Sequence, residues 1–158
     1  MEILIKKLEK ILLKEVYSFD KITFLAGDAS NRKYFQIISG KNKNVLMYDN
    51  TKKIGLSKFI LATNILKKCK INVPKIYNDY SQHGILIIEN FGKSKYGHIL
   101  TKKNEVKLYK LAIDTLILIH KNKEKHKMKN FNNNILFKEL DIFFEWFLPF
   151  NKKKNKCI

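Results

Sequence analysis

The segment Ala26-Gly27-Asp28-Ala29-Ser30-Asn31-Arg32-Lys33-Tyr34-Phe35 joins two β-rich runs and governs the interpretation of the rest of the chain. Its first half consists of turn-forming residues around one glycine, and it fits neither of the two common glycine-rich phosphate-loop patterns. By composition the segment predicts a hairpin turn. The exposed backbone N–H groups of such a turn, together with the Ser30 hydroxyl and the Arg32 guanidinium, are suited to binding phosphate oxygens.

On both sides of this turn, β-branched and aromatic residues form short runs that predict strands. The predicted strands cover residues 22–25, 34–38, 45–48, 75–80 and 84–89. Apolar residues at helical spacing predict helices over residues 3–17, about 55–69, 105–121 and 136–147. Val73-Pro74 is expected to end the second helix, because the residue before a proline disfavours helical dihedrals. Ile85 to Ile88 form a continuous apolar run, which predicts a central strand covered on both faces.

Five strands, with one helix inserted after the third, are followed by an all-helical part. This is the order of elements in protein-kinase-like folds. We therefore predict an α+β fold, in which a kinase-like N-lobe with a five-stranded antiparallel sheet precedes the first helices of a truncated helical C-lobe. The N-lobe, with its N-terminal helix and hinge, is expected over residues 1–92 and the incomplete C-lobe over residues 93–158.

Composition argues against several classes of protein. Charged residues interrupt the apolar N-terminus and no run reaches the ~18 apolar residues of a membrane span, so neither a secretory signal nor a membrane partner is predicted. Cys69 and Cys157 are far apart in sequence, which favours neither a disulfide framework nor a zinc site. The four histidines lack the spacing of metal ligands. These features predict a cytoplasmic protein.

The formal net charge of +18 arises from 32 Lys plus Arg against 14 Asp plus Glu, an excess often found in nucleic-acid-binding proteins. Arg32 is the only arginine, however, and the lysines are scattered through every segment. Isoleucine and asparagine are also abundant, which indicates a codon bias toward A and T. We interpret the charge as that bias and predict no specific nucleic-acid partner. A basic nucleic-acid-binding protein stays open as an alternative, as does a non-catalytic module that binds nucleotide or a partner protein.

The two interpretations of the charge differ in the salt dependence of DNA binding. If the excess is codon bias, duplex DNA should bind weakly, without sequence preference, and should dissociate near physiological salt of about 0.15 M. Fluorescence anisotropy with labelled duplexes of unrelated sequence measures this. Binding tighter than about 1 μM at that salt, which is stronger than ordinary non-specific binding, would favour the nucleic-acid alternative.

Beyond composition, six motifs in the same order resemble the aminoglycoside-phosphotransferase family, and within it the bacterial anomeric N-acetylmuramate/N-acetylglucosamine kinases. The first is the loop segment itself, which corresponds to the family pattern A-G-D-A-S-x-R-x-Y-F. The others are a V-L-M-x-D strand end, a V-P-x-I-Y segment, an L-L-x-E-D/N-F-G hinge and two helices. In this chain they correspond to Val45–Asp49, Val73–Tyr77, Leu86–Gly92, Leu108–His120 and Glu139–Leu148.

The resemblance implies an enzyme that transfers a phosphoryl group from ATP, with Mg²⁺, to the anomeric hydroxyl of an amino sugar in cell-wall recycling. Four residues would form the loop that covers the ATP phosphates: Gly27, Asp28, Ser30 and Arg32. The hinge that faces adenine through its backbone would be formed by Glu89, Asn90 and Phe91. For Arg32 one alternative stays open, an ion pair with Asp28 or Asp49, because arginine forks also serve structural pairs.

Three departures from the kinase pattern limit this implication. Kinase folds pair a lysine on the third strand with a glutamate on the following helix, whereas this chain has Met47 near the lysine position and no acidic residue between Asn50 and Asn78. The catalytic H-x-D-x-x-x-x-N pattern occurs nowhere in the sequence. We therefore predict no catalytic residue and no metal ligand here, and a truncated or split gene product that is inactive alone. Its partner would be a separately encoded C-terminal half carrying the Mg²⁺ ligands.

Overall fold

The computed structural model describes residues 1–27, 31–92, 94–122 and 132–147. The chain divides into two compact units, Met1–Glu124 and Lys125–Ile158. The first unit combines helices with a five-stranded antiparallel sheet, and the described part of the second is helical. The α+β class predicted from the sequence is confirmed. The division expected after residue 92 stays a prediction.

The described elements of the first unit are five strands, four α-helices and one 3₁₀ turn. The strands are β1 (Lys21–Ala26), β2 (Arg32–Ser39), β3 (Asn42–Asp49), β4 (Ile76–Tyr80) and β5 (Ile85–Ile88). The helices are α1 (Glu2–Lys14), α2 (Lys53–Lys68), α3 (Tyr96–Ile99) and α4 (Glu105–Lys121), with a short 3₁₀ turn over Ser81–His83. In the second unit, α5 (Asn133–Ile142) continues as a π-helical segment, Phe143–Phe147. The sequence did not predict the single turn of α3.

The strands lie in the spatial order β1-β2-β3-β5-β4, and all neighbours are antiparallel. β1, β2 and β3 form an antiparallel meander, and α2 is inserted after the third strand as expected. β5 then lies between β3 and β4, and all four of its residues are buried. The prediction of a central strand over Ile85–Ile88 is confirmed.

α1 and α2 cover opposite faces of the sheet. On one face, Leu8 and Leu12 of α1 pack against a large cluster from the strands: Ile22, Phe35, Ile37, Leu46, Tyr48, Ile85 and Ile87. On the other face, Leu56 of α2 packs against Met47, Leu86 and Ile88. Burial of each such aliphatic side chain contributes roughly 1.5–3 kcal/mol, so the sheet and the two helices stabilise one another.

α1 and α2 both end earlier than the sequence pattern indicated. α1 ends at Lys14 instead of continuing to residue 17, and α2 ends at Lys68, well before Val73-Pro74. The prediction that the proline ends α2 is wrong. In each helix the chain instead leaves through a left-handed residue, Val16 with φ 55° and Lys70 with φ 60°.

Each of these left-handed residues belongs to the same capping arrangement. The next backbone N–H turns back to a carbonyl in the last turn of the helix, so that Tyr17 donates to Leu12 and Ile71 donates to Leu66. This is the Schellman motif, which usually has glycine at the left-handed position. Because neither helix has a glycine there, the residue at the left-handed position did not mark the end of either helix.

The apolar side chains of α4 are largely exposed, and none of its residues is buried. The exposed set includes Val106, Tyr109, Leu111, Ile113, Leu116 and Ile117. In the second unit, the Asn132 side chain caps α5 by accepting a hydrogen bond from the Ile135 N–H at 3.1 Å, so this helix begins three residues before the predicted start. No helix in the described ranges is long and apolar enough to cross a membrane.

Candidate functional site

Gly27 begins the predicted phosphate loop at a point where β1 and β2 lie very close together. Its φ is 145°, and a Cβ atom there would lie 2.8 Å from the Lys33 Cα and 2.9 Å from the Arg32 carbonyl oxygen. A side chain would collide with the backbone of β2, so glycine is required for this close approach. Asp28 and Ser30, which were predicted to contact phosphate with Gly27, lie outside the described residues.

Arg32 is the first residue of β2 and lies directly across from Asp49, the last residue of β3. Its Nε donates to the Asp49 Oδ2 at 3.4 Å, and its Nη2 donates to the carbonyl oxygen of Gly55 in α2 at 3.2 Å. The guanidinium also lies 5.8 Å from the ring centre of Phe59. Of the two roles that the sequence left open, the structure shows the carboxylate pair, and the phosphate contact stays a prediction.

The Asp49 carboxylate is buried, with 3% of the residue exposed. Its Oδ1 accepts hydrogen bonds from both the N–H and the hydroxyl of Thr51. Gly55 makes room for this carboxylate, because a Cβ atom at residue 55 would overlap with it. Gly84 does the same for the main chain: a Cβ there would overlap with the Asp49 carbonyl oxygen, and the Gly84 carbonyl accepts the Asp49 N–H at 2.9 Å.

The protonation of Asp49 follows from these contacts. Burial raises the pKa of Asp49, but the hydrogen bonds from Thr51 and the hydrogen bond and positive charge of Arg32 outweigh it, so the pKa lies below its ordinary value. A carboxyl group whose pKa is lowered by folding stabilises the native state fully above its unfolded pKa of about 3.9. That contribution is lost as the pH falls through the lower, folded pKa.

Asp49→Asn is expected to lower the free energy of unfolding by about 1–3 kcal/mol at pH 7, since Arg32 loses its carboxylate partner. The difference from wild type should shrink as the pH falls below about 3.9, because the unfolded wild-type chain then binds a proton at Asp49 more readily than the native state does. Urea titrations at pH 7 and pH 3 measure both values. Asp114, exposed on α4, is the control, and Asp114→Asn should change stability by less than about 0.5 kcal/mol. An equal loss for Asp49→Asn at both pH values would contradict the role of its charge.

The predicted hinge follows β5 and is fixed to the residue before β4. The Glu89 N–H donates to the Lys75 carbonyl at 2.8 Å, and the Glu89 Oε2 accepts from the Lys75 N–H at 3.1 Å. The Asn90 side chain accepts from the Gly92 N–H at 2.8 Å. Phe91 is 56% exposed, and its N–H makes no hydrogen bond to another described residue. The Phe91 N–H is therefore available to a ligand.

The sheet places the loop and the hinge at opposite ends of its strands. Asp49, the partner of Arg32, is at the end of β3, whereas Val45 on the same strand pairs with Ile88, the residue before the hinge. Four residues along a strand span about 13 Å at ~3.3 Å per residue. Met47, near the position of the kinase lysine, lies between them and is fully buried against α2.

No group of three or more His, Cys, Asp or Glu residues that could hold a metal ion occurs among the described residues. Sequence reasoning considered Asp49 only as one of two partners for Arg32, and it missed Thr51, Gly55 and Gly84. A glycine inside a predicted helix, such as Gly55, is a signal of close packing that could have identified this cluster.

Comparison with known proteins adds the chemistry that this geometry alone does not identify. No family model matches the chain. Three curated proteins named N-acetylmuramate/N-acetylglucosamine kinase are similar to it. The one from Pseudomonas aeruginosa is 26% identical over 123 residues, covering 78% of this chain. Those from Pseudomonas putida and Neisseria meningitidis are 24% and 22% identical over 127 and 144 residues, covering 80% and 86% of it. The predicted resemblance is confirmed.

These kinases are considerably longer than the present chain. The matched residues span only 36%, 38% and 42% of their respective lengths. The similarity is distant, with identities between 22% and 26%. It supports a kinase-type function.

Proposed function

We propose that this chain is the nucleotide-binding portion of an ATP-dependent amino-sugar kinase of the aminoglycoside-phosphotransferase type, acting in a cytoplasmic cell-wall recycling pathway. The observation that carries the proposal is the position of two segments on one sheet. The backbone donor of Phe91 lies beyond one end of the central strands, and Gly27 and Arg32, which flank the predicted loop, lie at the other end. The similarity to three proteins named as amino-sugar kinases supports ATP as the ligand and an amino sugar as its acceptor.

Each segment would bind a different part of the nucleotide. At the hinge, the Phe91 N–H would donate to the adenine ring, while Glu89 and Asn90 hold the hinge backbone in place through their own hydrogen bonds. At the loop, Gly27 allows the backbone to turn closely over the sheet, and Asp28, Ser30 and Arg32 would contact the phosphates. The sheet lies between the two segments as a kinase-like N-lobe whose α2 face, at Met47 and Ile88, is apolar.

The chain would not complete the reaction by itself. Phosphoryl transfer needs a base for the sugar hydroxyl and ligands for Mg²⁺, which kinases take from the H-x-D-x-x-x-x-N loop, and the 158 residues contain no such pattern. When bound, Mg²⁺ would neutralise charge on the phosphates. The exposed apolar side chains of α4, among them Leu111, Ile113 and Leu116, supply a surface on which a separately encoded catalytic half could pack.

Removal of one backbone donor tests the hinge. Phe91→Pro removes the N–H and is expected to weaken Mg-ATP binding about tenfold, as the loss of one hydrogen bond predicts. Phe91→Ala keeps the N–H and trims a side chain that is already 56% exposed, so it should change the affinity less than about threefold. Isothermal titration calorimetry gives both affinities, and melting temperatures establish that both variants are folded.

The same titrations also define what would overturn the proposal. A folded wild-type chain that binds no ATP at millimolar concentration would contradict a nucleotide-binding function. Equal affinities for Phe91→Pro and Phe91→Ala would contradict the assignment of the hinge and leave nucleotide binding to be located elsewhere on the sheet.

A further inference from the structure

The contact between the sheet and α2 differs from the lysine–glutamate ion pair that joins the corresponding elements in kinases. In kinases, a lysine on the third strand holds a glutamate on the following helix, and this pair must be in place for activity. Here Met47 is buried and uncharged, and α2 contains no acidic residue from Lys53 to Lys68. Neither partner of the kinase pair is therefore present at the sheet–helix boundary.

A different set of charges lies two residues further along β3. Side chains alternate along a strand, so Asp49 is on the same face of the sheet as Met47, the face that α2 covers. Arg32 lies beside Asp49 on the neighbouring strand, with its Nε 3.4 Å from the carboxylate, and its Nη2 reaches the Gly55 carbonyl in the first turns of α2 at 3.2 Å. One guanidinium thus contacts the sheet and the helix together.

The surroundings of this arginine are built to hold it in that position. The carboxylate of Asp49 is fixed by Thr51 and is 3% exposed, and the ring of Phe59, on α2, lies 5.8 Å from the guanidinium carbon. The absence of a side chain at Gly55 lets the carboxylate approach the helix. A lysine could not copy this arrangement, because one ammonium group does not present a planar fork to two separated acceptors.

We propose that Asp49 is a positioning residue which, through Arg32, couples the start of β2 to the first turns of α2 and takes the place of the lysine–glutamate pair. The inference rests on the proposed function, since the loop is taken to cover the phosphates. Arg32 is the residue that immediately follows that loop and is also the residue that contacts α2. A phosphate bound at the loop would therefore order the start of α2, and disorder at α2 would weaken phosphate binding.

Hydrogen–deuterium exchange of the chain measures the coupling without requiring catalysis. Asp49→Asn and Arg32→Lys are each expected to speed amide exchange in residues 53–58 by about tenfold or more, the size expected for loss of a charge-assisted hydrogen bond. The double variant should exchange no faster than the faster single variant, because both changes break the same connection. Asp114→Asn on exposed α4 is the matched control and should leave these residues unchanged.

A second measurement separates positioning from a purely structural role. In the wild type, Mg-ATP should slow amide exchange both at the start of β2 and in residues 53–58. In Asp49→Asn, it should slow amide exchange at the start of β2 alone. The inference would be overturned if both single variants exchanged their α2 amides at the wild-type rate. It would also be overturned if Mg-ATP still slowed exchange in α2 of Asp49→Asn. If the wild type bound no Mg-ATP, the proposed function would fail, and the exchange rates of the variants without ligand would still decide the connection.

Discussion

Incubated with Mg-ATP and either N-acetylmuramate or N-acetylglucosamine, the purified chain is expected to form no sugar phosphate. General-base catalysis by a positioned side chain contributes roughly 10²–10⁴-fold, and kinases also need an acidic or amide ligand to hold Mg²⁺ against the phosphates. The sequence contains no H-x-D-x-x-x-x-N loop to supply either group. We therefore expect no measurable turnover by this chain, and not merely a reduced rate.

The assay is ³¹P NMR or a coupled ADP assay, run beside the complete Pseudomonas aeruginosa kinase as a positive control. A preparation of the chain carrying Phe91→Pro reveals contamination by host kinases, because contaminating activity would be the same in both preparations. At an ATP concentration below saturation, turnover that is clearly higher for the wild-type chain than for Phe91→Pro would contradict the expectation. Activity that arises only when the remaining part of the Pseudomonas kinase is added would support packing against α4.

The second large effect concerns two glycines that share a left-handed conformation but differ in their surroundings. Gly84 has φ 77° and Gly40 has φ 57°. A Cβ on Gly84 would overlap with the backbone oxygen of Asp49, whereas nothing lies within 4 Å of the corresponding position at Gly40. Gly40→Ala should lower the free energy of unfolding by about 1–2 kcal/mol from backbone strain alone. Gly84→Ala should lower it by about 3–5 kcal/mol, since the backbone must also move.

Denaturant titrations of the two variants measure the difference directly. The backbone strain is common to both positions and cancels in the comparison. The remaining difference in the free energy of unfolding reports the close approach of Gly84 to Asp49. Equal losses of stability in the two variants would mean that this approach is not needed for the fold. A larger loss in Gly40→Ala would contradict the packing at the end of β3.

Much of the fold could be predicted because local sequence patterns indicate its helices and strands. The continuous apolar run from Ile85 to Ile88 indicated a doubly covered strand, and the structure places it between β3 and β4 with α1 and α2 on the two faces. The end of α1 could not be predicted in the same way, whereas α4 begins and ends at the predicted residues. Val16 and Lys70 occupy left-handed positions where glycine is usual, so the residue types carried no signal of the turn.

The candidate site was predictable only in part, for a different reason. The loop and the hinge are continuous segments, and their residues stand together in the sequence. The contacts of Arg32 join three elements, with Asp49 17 positions away and Gly55 23 positions away. Such a cluster depends on the register between β2 and β3 and on where α2 begins, neither of which a local pattern determines.

The two core clusters have a consequence for how the chain folds during synthesis. Their buried members all lie between Leu8 and Ile88, and none comes from α3, α4 or α5. The sheet with its two covering helices can therefore reach its native packing on the ribosome before the later helices are translated. At ~5–20 residues per second, the 33 residues from Glu89 to Lys121 take roughly 2–7 s to add, which is longer than most small domains need to fold. The apolar residues of α4 thus leave the ribosome after the sheet has folded. They should therefore determine chaperone recruitment to the nascent chain more than the N-terminal residues do.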